Sequence, residues 1–188
     1  MKHGYIRVAA ATPDVKVADP EFNREQICEL IKDGIKRRAK LMVFPELCLT
    51  AYTCGDLFGQ DALLKKTQKE LKEILKATEG HDLLCFLGMP WEWGGKLYNT
   101  AVAIQDGRIL GIVPKTNLPN YSEFYELRYF QPGNDIPVMV KWEDEQIPMG
   151  TNLLFACEDN PKLVVAAEIC EDAWVPNPPS IRHATAGA

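Results

Sequence analysis

Apolar and polar positions along this chain recur with two different periods, and the changes of period divide it into elements. The run Leu163-Val164-Val165-Ala166-Ala167, entered through Asp159-Asn160-Pro161, has the length and composition of a strand buried on both faces. Glu168-Ile169-Cys170-Glu171-Asp172 follows at once, which puts a thiol among carboxylates where that strand ends. Similar apolar runs predict strands over Tyr5 to Ala11, Leu41 to Phe44 and Leu83 to Leu87. Between the first two, Asp19-Pro20 reads as an N-cap followed by proline at the first helical position, and Ile27, Ile31 and Ile35 share one face. Gly34 weakens that helix without breaking it. Asp61 opens a second helix with Leu64, Leu71, Ile74 and Leu75, ended by Gly80. Strand, helix and strand in this order predict a parallel pair joined by a right-handed crossover.

The pattern changes after Leu87. Leu97 to Ile104 and Ile109 to Val113 flank Asp106-Gly107, a two-residue hairpin signal, so the sheet is expected to be mixed. Leu118 to Gly133 is an aromatic loop, and two proline-punctuated strands follow around Val138 to Trp142 and Leu153 to Cys157. Pro176-Asn177-Pro178-Pro179-Ser180 is a stiff connector that launches a helix at Ser180. Crossover units early and hairpins late predict an α/β fold of four layers, with helices outside two facing sheets and the later strands in a layer of their own.

A length of 188 residues suits one domain with a sizeable core. The net charge of -5 excludes the basic footprint that nucleic acid or an anionic membrane surface requires. The cluster Lys36-Arg37-Arg38-Ala39-Lys40 reads instead as a helix C-terminus. Met1 to Tyr5 runs straight into a strand without the form of a leader, and no apolar run approaches the roughly 18 residues of a membrane span. Six cysteines without a CxxC pair point to a reducing, cytoplasmic setting. His3, His81 and His183 are too scattered to suggest a metal site.

Candidate chemistry lies at the ends of three strands. Pro45 leaves Glu46 at the tip of one, Pro114 leaves Lys115 at the tip of another, and Cys170 ends a third. Each has an ordinary alternative: a surface carboxylate, a solvated lysine and a small buried thiol. Together they suit nucleophilic attack on an amide. A carboxylate can take the thiol proton, and an ammonium together with the Glu171 backbone N–H can hold the oxyanion.

At these residues the chain resembles a known family. Phe44-Pro45-Glu46-Leu47, Pro114-Lys115-Thr116-Asn117-Leu118-Pro119 and Glu168-Ile169-Cys170-Glu171-Asp172 resemble the three signature segments of the nitrilase superfamily of carbon–nitrogen hydrolases. Tyr121-Ser122-Glu123-Phe124-Tyr125-Glu126 and Trp174-Val175-Pro176-Asn177-Pro178-Pro179-Ser180 are similar to segments of the glutaminase domains of glutamine-dependent NAD synthetases. The resemblance implies a four-layer α-β-β-α sandwich, incomplete at its C-terminus. It makes Cys170 the nucleophile, Glu46 the base and later acid, Lys115 the oxyanion stabiliser and Glu123 the residue that orients the lysine, with Tyr121 and Glu171 at the substrate. Glutamine is the implied substrate. The implied partners are an ATP- and magnesium-using synthetase domain of the same chain and further copies in a homo-oligomer, with no cofactor in this domain itself. The family's glutaminase domains continue past the position of Ala188, so little activity is expected of these residues alone. A stand-alone amidase or carbamoylase, and a non-catalytic or inactive fragment, remain open alternatives.

Overall fold

The computed structural model describes residues 4–188, so the reading of Met1 to His3 lies outside it. The described residues form β1 (Val8–Ala10), α1 (Pro20–Lys36), β2 (Leu41–Val43), α2 (Asp61–Thr78), β3 (Leu84–Trp93), β4 (Lys96–Gln105), β5 (Arg108–Pro114), β6 (Val138–Trp142), β7 (Glu145–Met149), β8 (Phe155–Cys157), β9 (Asn160–Val165) and α3 (Pro179–Thr185). The start of α1 follows its sequence signals: the Phe22 N–H donates to the Asp19 carboxylate at 3.3 Å and Pro20 holds the first helical position. Ile27 and Ile31 are buried beside Leu71 and Ile74 of α2, and Arg24 joins the two helices through Glu70 at 3.0 Å. Gly34 faces β2, where an added Cβ would lie 2.3 Å from the terminal methyl of the flexible Met42 side chain, which would have to move aside.

Seven strands form one mixed sheet in the order β1-β2-β3-β4-β5-β7-β6. β1, β2 and β3 run parallel, β4 runs antiparallel between β3 and β5, and β7 is parallel to β5. The pleat sends alternate side chains to opposite faces. Cys85, Leu87, Met89, Val102, Ile104 and Ile112 join the α1 and α2 core, while Phe86, Gly88, Ala101 and Ala103 take the other face. There the β8–β9 pair lies against the sheet, its Phe155 ring edge-on to Phe86 with centroids 5.3 Å apart.

Two expectations need correction. The later strands do not make a layer of their own, because β4 to β7 extend the first sheet and β8–β9 alone are separate from it. Asp106 and Gly107 both have positive φ, as do Gly94 and Gly95, and two-residue turns of this kind place the strands they join side by side. Second, β9 is half-buried and stops at Val165, five residues before Cys170. The molecule is thus an α/β fold whose mixed seven-stranded sheet is flanked by helices. Among the described residues no helix is long and apolar enough to cross a membrane.

Candidate active site

Glu46 sits on a tight turn that rests directly on β3. After Phe44 donates to the Phe86 carbonyl at 3.0 Å, Pro45 ends the pairing and Leu47 takes φ 51°. A Cβ at position 88 would stand 2.2 Å from the Pro45 carbonyl oxygen. Only glycine permits that approach, and it brings Glu46 over the sheet toward Lys115. Lys115 continues β5, its N–H donating to the Asn99 carbonyl at 2.8 Å. Its ammonium is fully buried and donates to Glu46 Oε1 at 2.6 Å and to Glu126 Oε1 at 2.7 Å.

The second carboxylate on the lysine is therefore Glu126 and not Glu123. Glu126 lies in a single 3-10 turn, buried, with the Tyr52 hydroxyl donating to it at 2.8 Å. Ser122 takes φ 54° and turns the chain, leaving Glu123 in solvent. There a hydrogen bond from the Ser122 side chain holds its carboxyl below the usual range.

Cys170 begins a 3-10 turn, Cys170–Ala173, with φ 48° and an exposed side chain. A left-handed backbone at a non-glycine residue costs energy and is characteristic of sites that present a side chain. The next turn residues hold it there. Asp172, buried, accepts the Ile169 N–H at 3.2 Å, the Thr116 N–H at 3.2 Å, and the Asn117 N–H at 2.7 Å and side-chain amide at 2.9 Å. One carboxylate thus ties the thiol's turn to the segment after Lys115. On the rim, the Tyr121 hydroxyl donates to Glu171 Oε2 at 2.8 Å.

The charges explain how such a thiol would work. Burial, the Glu46 charge and hydrogen bonding to Glu46 raise the Cys170 pKa, and Lys115 offsets them only in part. Cys170 is therefore mainly a thiol at neutral pH, in need of a base, rather than the cation-activated thiolate that a nearby lysine suggests. Burial alone would lower the Lys115 pKa, but the two carboxylates outweigh it and the net shift is upward. The ammonium stays charged through the neutral range.

Exposure sets the order of cysteine reactivity. Burial pushes Cys48 and Cys85 up to about 12 and raises Cys54, and all three are buried. Limiting iodoacetamide followed by peptide mass mapping should label Cys170 first, with a rate that rises with pH. First labelling at Cys48 or Cys54 would move the nucleophile elsewhere.

A buried lysine held between two carboxylates, beside a thiol on a strained turn, is an arrangement for acyl transfer. The carbon–nitrogen hydrolase family profile matches residues 7–188, and the chain belongs to that family. It is 41% identical over 189 residues to the glutamine-dependent NAD(+) synthetase of Mycobacterium tuberculosis, a match covering 100% of this chain and 28% of that protein. Among solved structures, the glutamine-dependent NAD(+) synthetase of Cytophaga hutchinsonii superposes with a TM-score of 0.81 at 27% identity, covering 88% of this chain and 28% of that one. The enzyme of Acinetobacter baumannii, solved with ADP, gives a TM-score of 0.67 at 26% identity over 96% of this chain and 30% of that one. The chain is homologous to the glutaminase part of these proteins and spans little more than a quarter of their length.

Sequence reasoning brought Glu46, Lys115 and Cys170 to one place but missed Glu126, Asn99, Asp172 and Tyr52 as members of the cluster. Asn99 lies opposite Lys115 across the β4–β5 ladder, a pairing that depends on the register shift between Ala103 and Ile104. Among the described residues no cluster of three or more His, Cys, Asp or Glu could hold a metal.

Proposed function

We propose that this chain hydrolyses the side-chain amide of glutamine through a thioester on Cys170. The observation that carries the reading is the fully buried Lys115 ammonium, fixed at 2.6 and 2.7 Å between Glu46 and Glu126. The 41% identity to a glutamine-dependent NAD(+) synthetase supports glutamine as substrate. Glu46 takes the thiol proton as sulfur attacks the amide carbon, and the oxyanion is held by Lys115 and the Glu171 backbone N–H. Collapse breaks the C–N bond, Glu46 returns the proton to nitrogen, and ammonia leaves. Water then attacks the thioester with Glu46 again as base, releasing glutamate and the free thiol. In this reading Glu126 orients the lysine, and Tyr121 and Glu171 would meet the charged end of glutamine.

In the longer protein the ammonia would serve an ATP- and magnesium-dependent conversion of deamido-NAD to NAD by a synthetase domain of the same chain. That protein is read as cytoplasmic and homo-oligomeric. The same reading makes β8–β9 the start of a second sheet in a four-layer α-β-β-α sandwich. Val8 and Val43, on the sheet's first two strands, are 59% and 46% exposed, and a cavity of about 650 Å³ beside Glu46 and Cys170 is lined by both Val43 and Val165. Further chain would cover this apolar surface, so a form extended to the relatives' length should turn over glutamine faster than these 188 residues. The test is ammonia release from glutamine, with acetamide and N-carbamoyl amino acids as rivals, by the wild type and Cys170→Ala. Cys170-dependent hydrolysis of the rivals in preference to glutamine would make this an amidase or carbamoylase instead.

A further inference from the structure

We propose that Asn99 is a positioning residue that fixes the Glu46 carboxylate so that Oε2 alone is left to exchange a proton with Cys170. This deepens the amide-hydrolysis reading and rests on it. Asn99 is fully buried. Its side-chain N–H₂ donates to Glu46 Oε1 at 2.6 Å and reaches Glu126 Oε2 at 3.4 Å. Lys115 donates to the same Glu46 Oε1 at 2.6 Å. Two donors therefore converge on one oxygen, and the basic lone pairs of the other remain for the thiol, on whose pKa Glu46 acts through charge and hydrogen bonding.

The other half of the amide shows what this arrangement costs. Asn99 Oδ1 is buried and has no hydrogen-bond partner among the described residues, and an orphaned buried acceptor is a net penalty to the fold. Turning the amide over would set its oxygen 2.6 Å from Glu46 Oε1, where two acceptors repel. The orientation is thus dictated by the carboxylates. This asparagine gives up its acceptor to keep a donor on Glu46. Its backbone adds a second link, because the Asn99 carbonyl accepts the Lys115 N–H. One strand position therefore sets both the lysine and the base. The charged and titratable groups around it are Glu46, Lys115, Glu126, Tyr52 and Cys170.

The experiment has two arms, in wild type, Asn99→Leu and Asn99→Asp. The first is the pH profile of Cys170 alkylation by iodoacetamide, which needs no glutamine. The second is ammonia release with kcat and KM resolved. Asn99→Leu keeps the shape but removes the donor, and kcat should fall roughly a hundredfold, the scale of a misplaced catalytic group, while KM moves less than about threefold. Asn99→Asp adds a negative charge beside Glu46, so the alkylation profile should move up by about one pH unit, since nearby like charge disfavours the thiolate. Thermal melting identifies a variant that does not fold; Asn99→Ser, smaller and still able to donate, then replaces it and should lie between wild type and Asn99→Leu. Folded variants with wild-type kcat and an unmoved alkylation profile would overturn the proposal. Wild type that alkylates at Cys170 but hydrolyses acetamide or an N-carbamoyl amino acid in preference to glutamine would instead sink the glutaminase reading, while a shifted Asn99→Asp profile would still uphold the role of Asn99.

Discussion

Lys115→Met should abolish detectable glutamine hydrolysis and destabilise the fold at neutral pH. The substitution keeps the length of the side chain and removes the one cation from a pocket that holds Glu46 Oε1 and Glu126 Oε1 at 2.6 and 2.7 Å from it. Breaking a buried charge pair by deleting one partner costs about 3–5 kcal/mol, because the remaining charge has no compensation. Loss of an oxyanion donor costs a further factor of roughly 10²–10³ in kcat. The sign with pH separates this from simple cavity formation. In the wild type the raised Lys115 pKa means that the pair's stabilisation is present below the ordinary lysine value and is lost only as pH rises through the higher folded one. In the variant, two facing carboxylates without a cation resist joint ionisation, so its deficit should shrink as pH falls toward about 4–5. A deficit that is the same at pH 5 and pH 8 in urea unfolding would contradict the electrostatic account.

Asp172→Ala is expected to be the most damaging change outside the proposed reacting groups. It leaves the Thr116, Asn117 and Ile169 N–H groups without their shared acceptor, at about 1–3 kcal/mol for each group that stays buried and unpaired. A total near 3 kcal/mol corresponds to a fall in Tm of about 6–12 °C for a domain of this size. The chemical consequence is separate. With the clamp gone the Cys170 turn is free to leave φ 48°, and the thiol should lose its preferential alkylation over Cys28 and Cys157, which are half-buried. A Tm within 2 °C of wild type, with Cys170 still labelled first, would show that the turn is held by other contacts.

The existence of strands and the placing of Glu46 and Lys115 at strand ends were legible in the sequence where local chemistry decides them. Asp19-Pro20 opens α1, Asp106-Gly107 makes the β4–β5 turn, and the prolines at 45 and 114 leave Glu46 and Lys115 at strand ends as expected. What failed depended on contacts distant in sequence. The choice between Glu123 and Glu126 is made by the positive φ at Ser122 and by Tyr52, which lies 74 residues away from its acceptor Glu126. Asn99 could be paired with Lys115 only by knowing the irregularity between Ala103 and Ile104; an uninterrupted hairpin would have put Pro114 opposite it. β7 has no clear strand signal in the sequence, since Pro148, within Glu145–Met149, argues against an interior strand. Pro148 pairs with Met139 of β6, and the ladder accommodates it.

The central claim is that Cys170 is a nucleophile in a site shaped for glutamine, and covalent capture tests it without depending on turnover. The purified chain would be incubated with the glutamine analogue in which a diazoketone replaces the side-chain amide, and the product read by intact mass and peptide mapping. The account predicts one label per chain, on Cys170, slowed by added L-glutamine and absent in Cys170→Ala. A label on another cysteine, or labelling of Cys170 that L-glutamine does not slow, would contradict it.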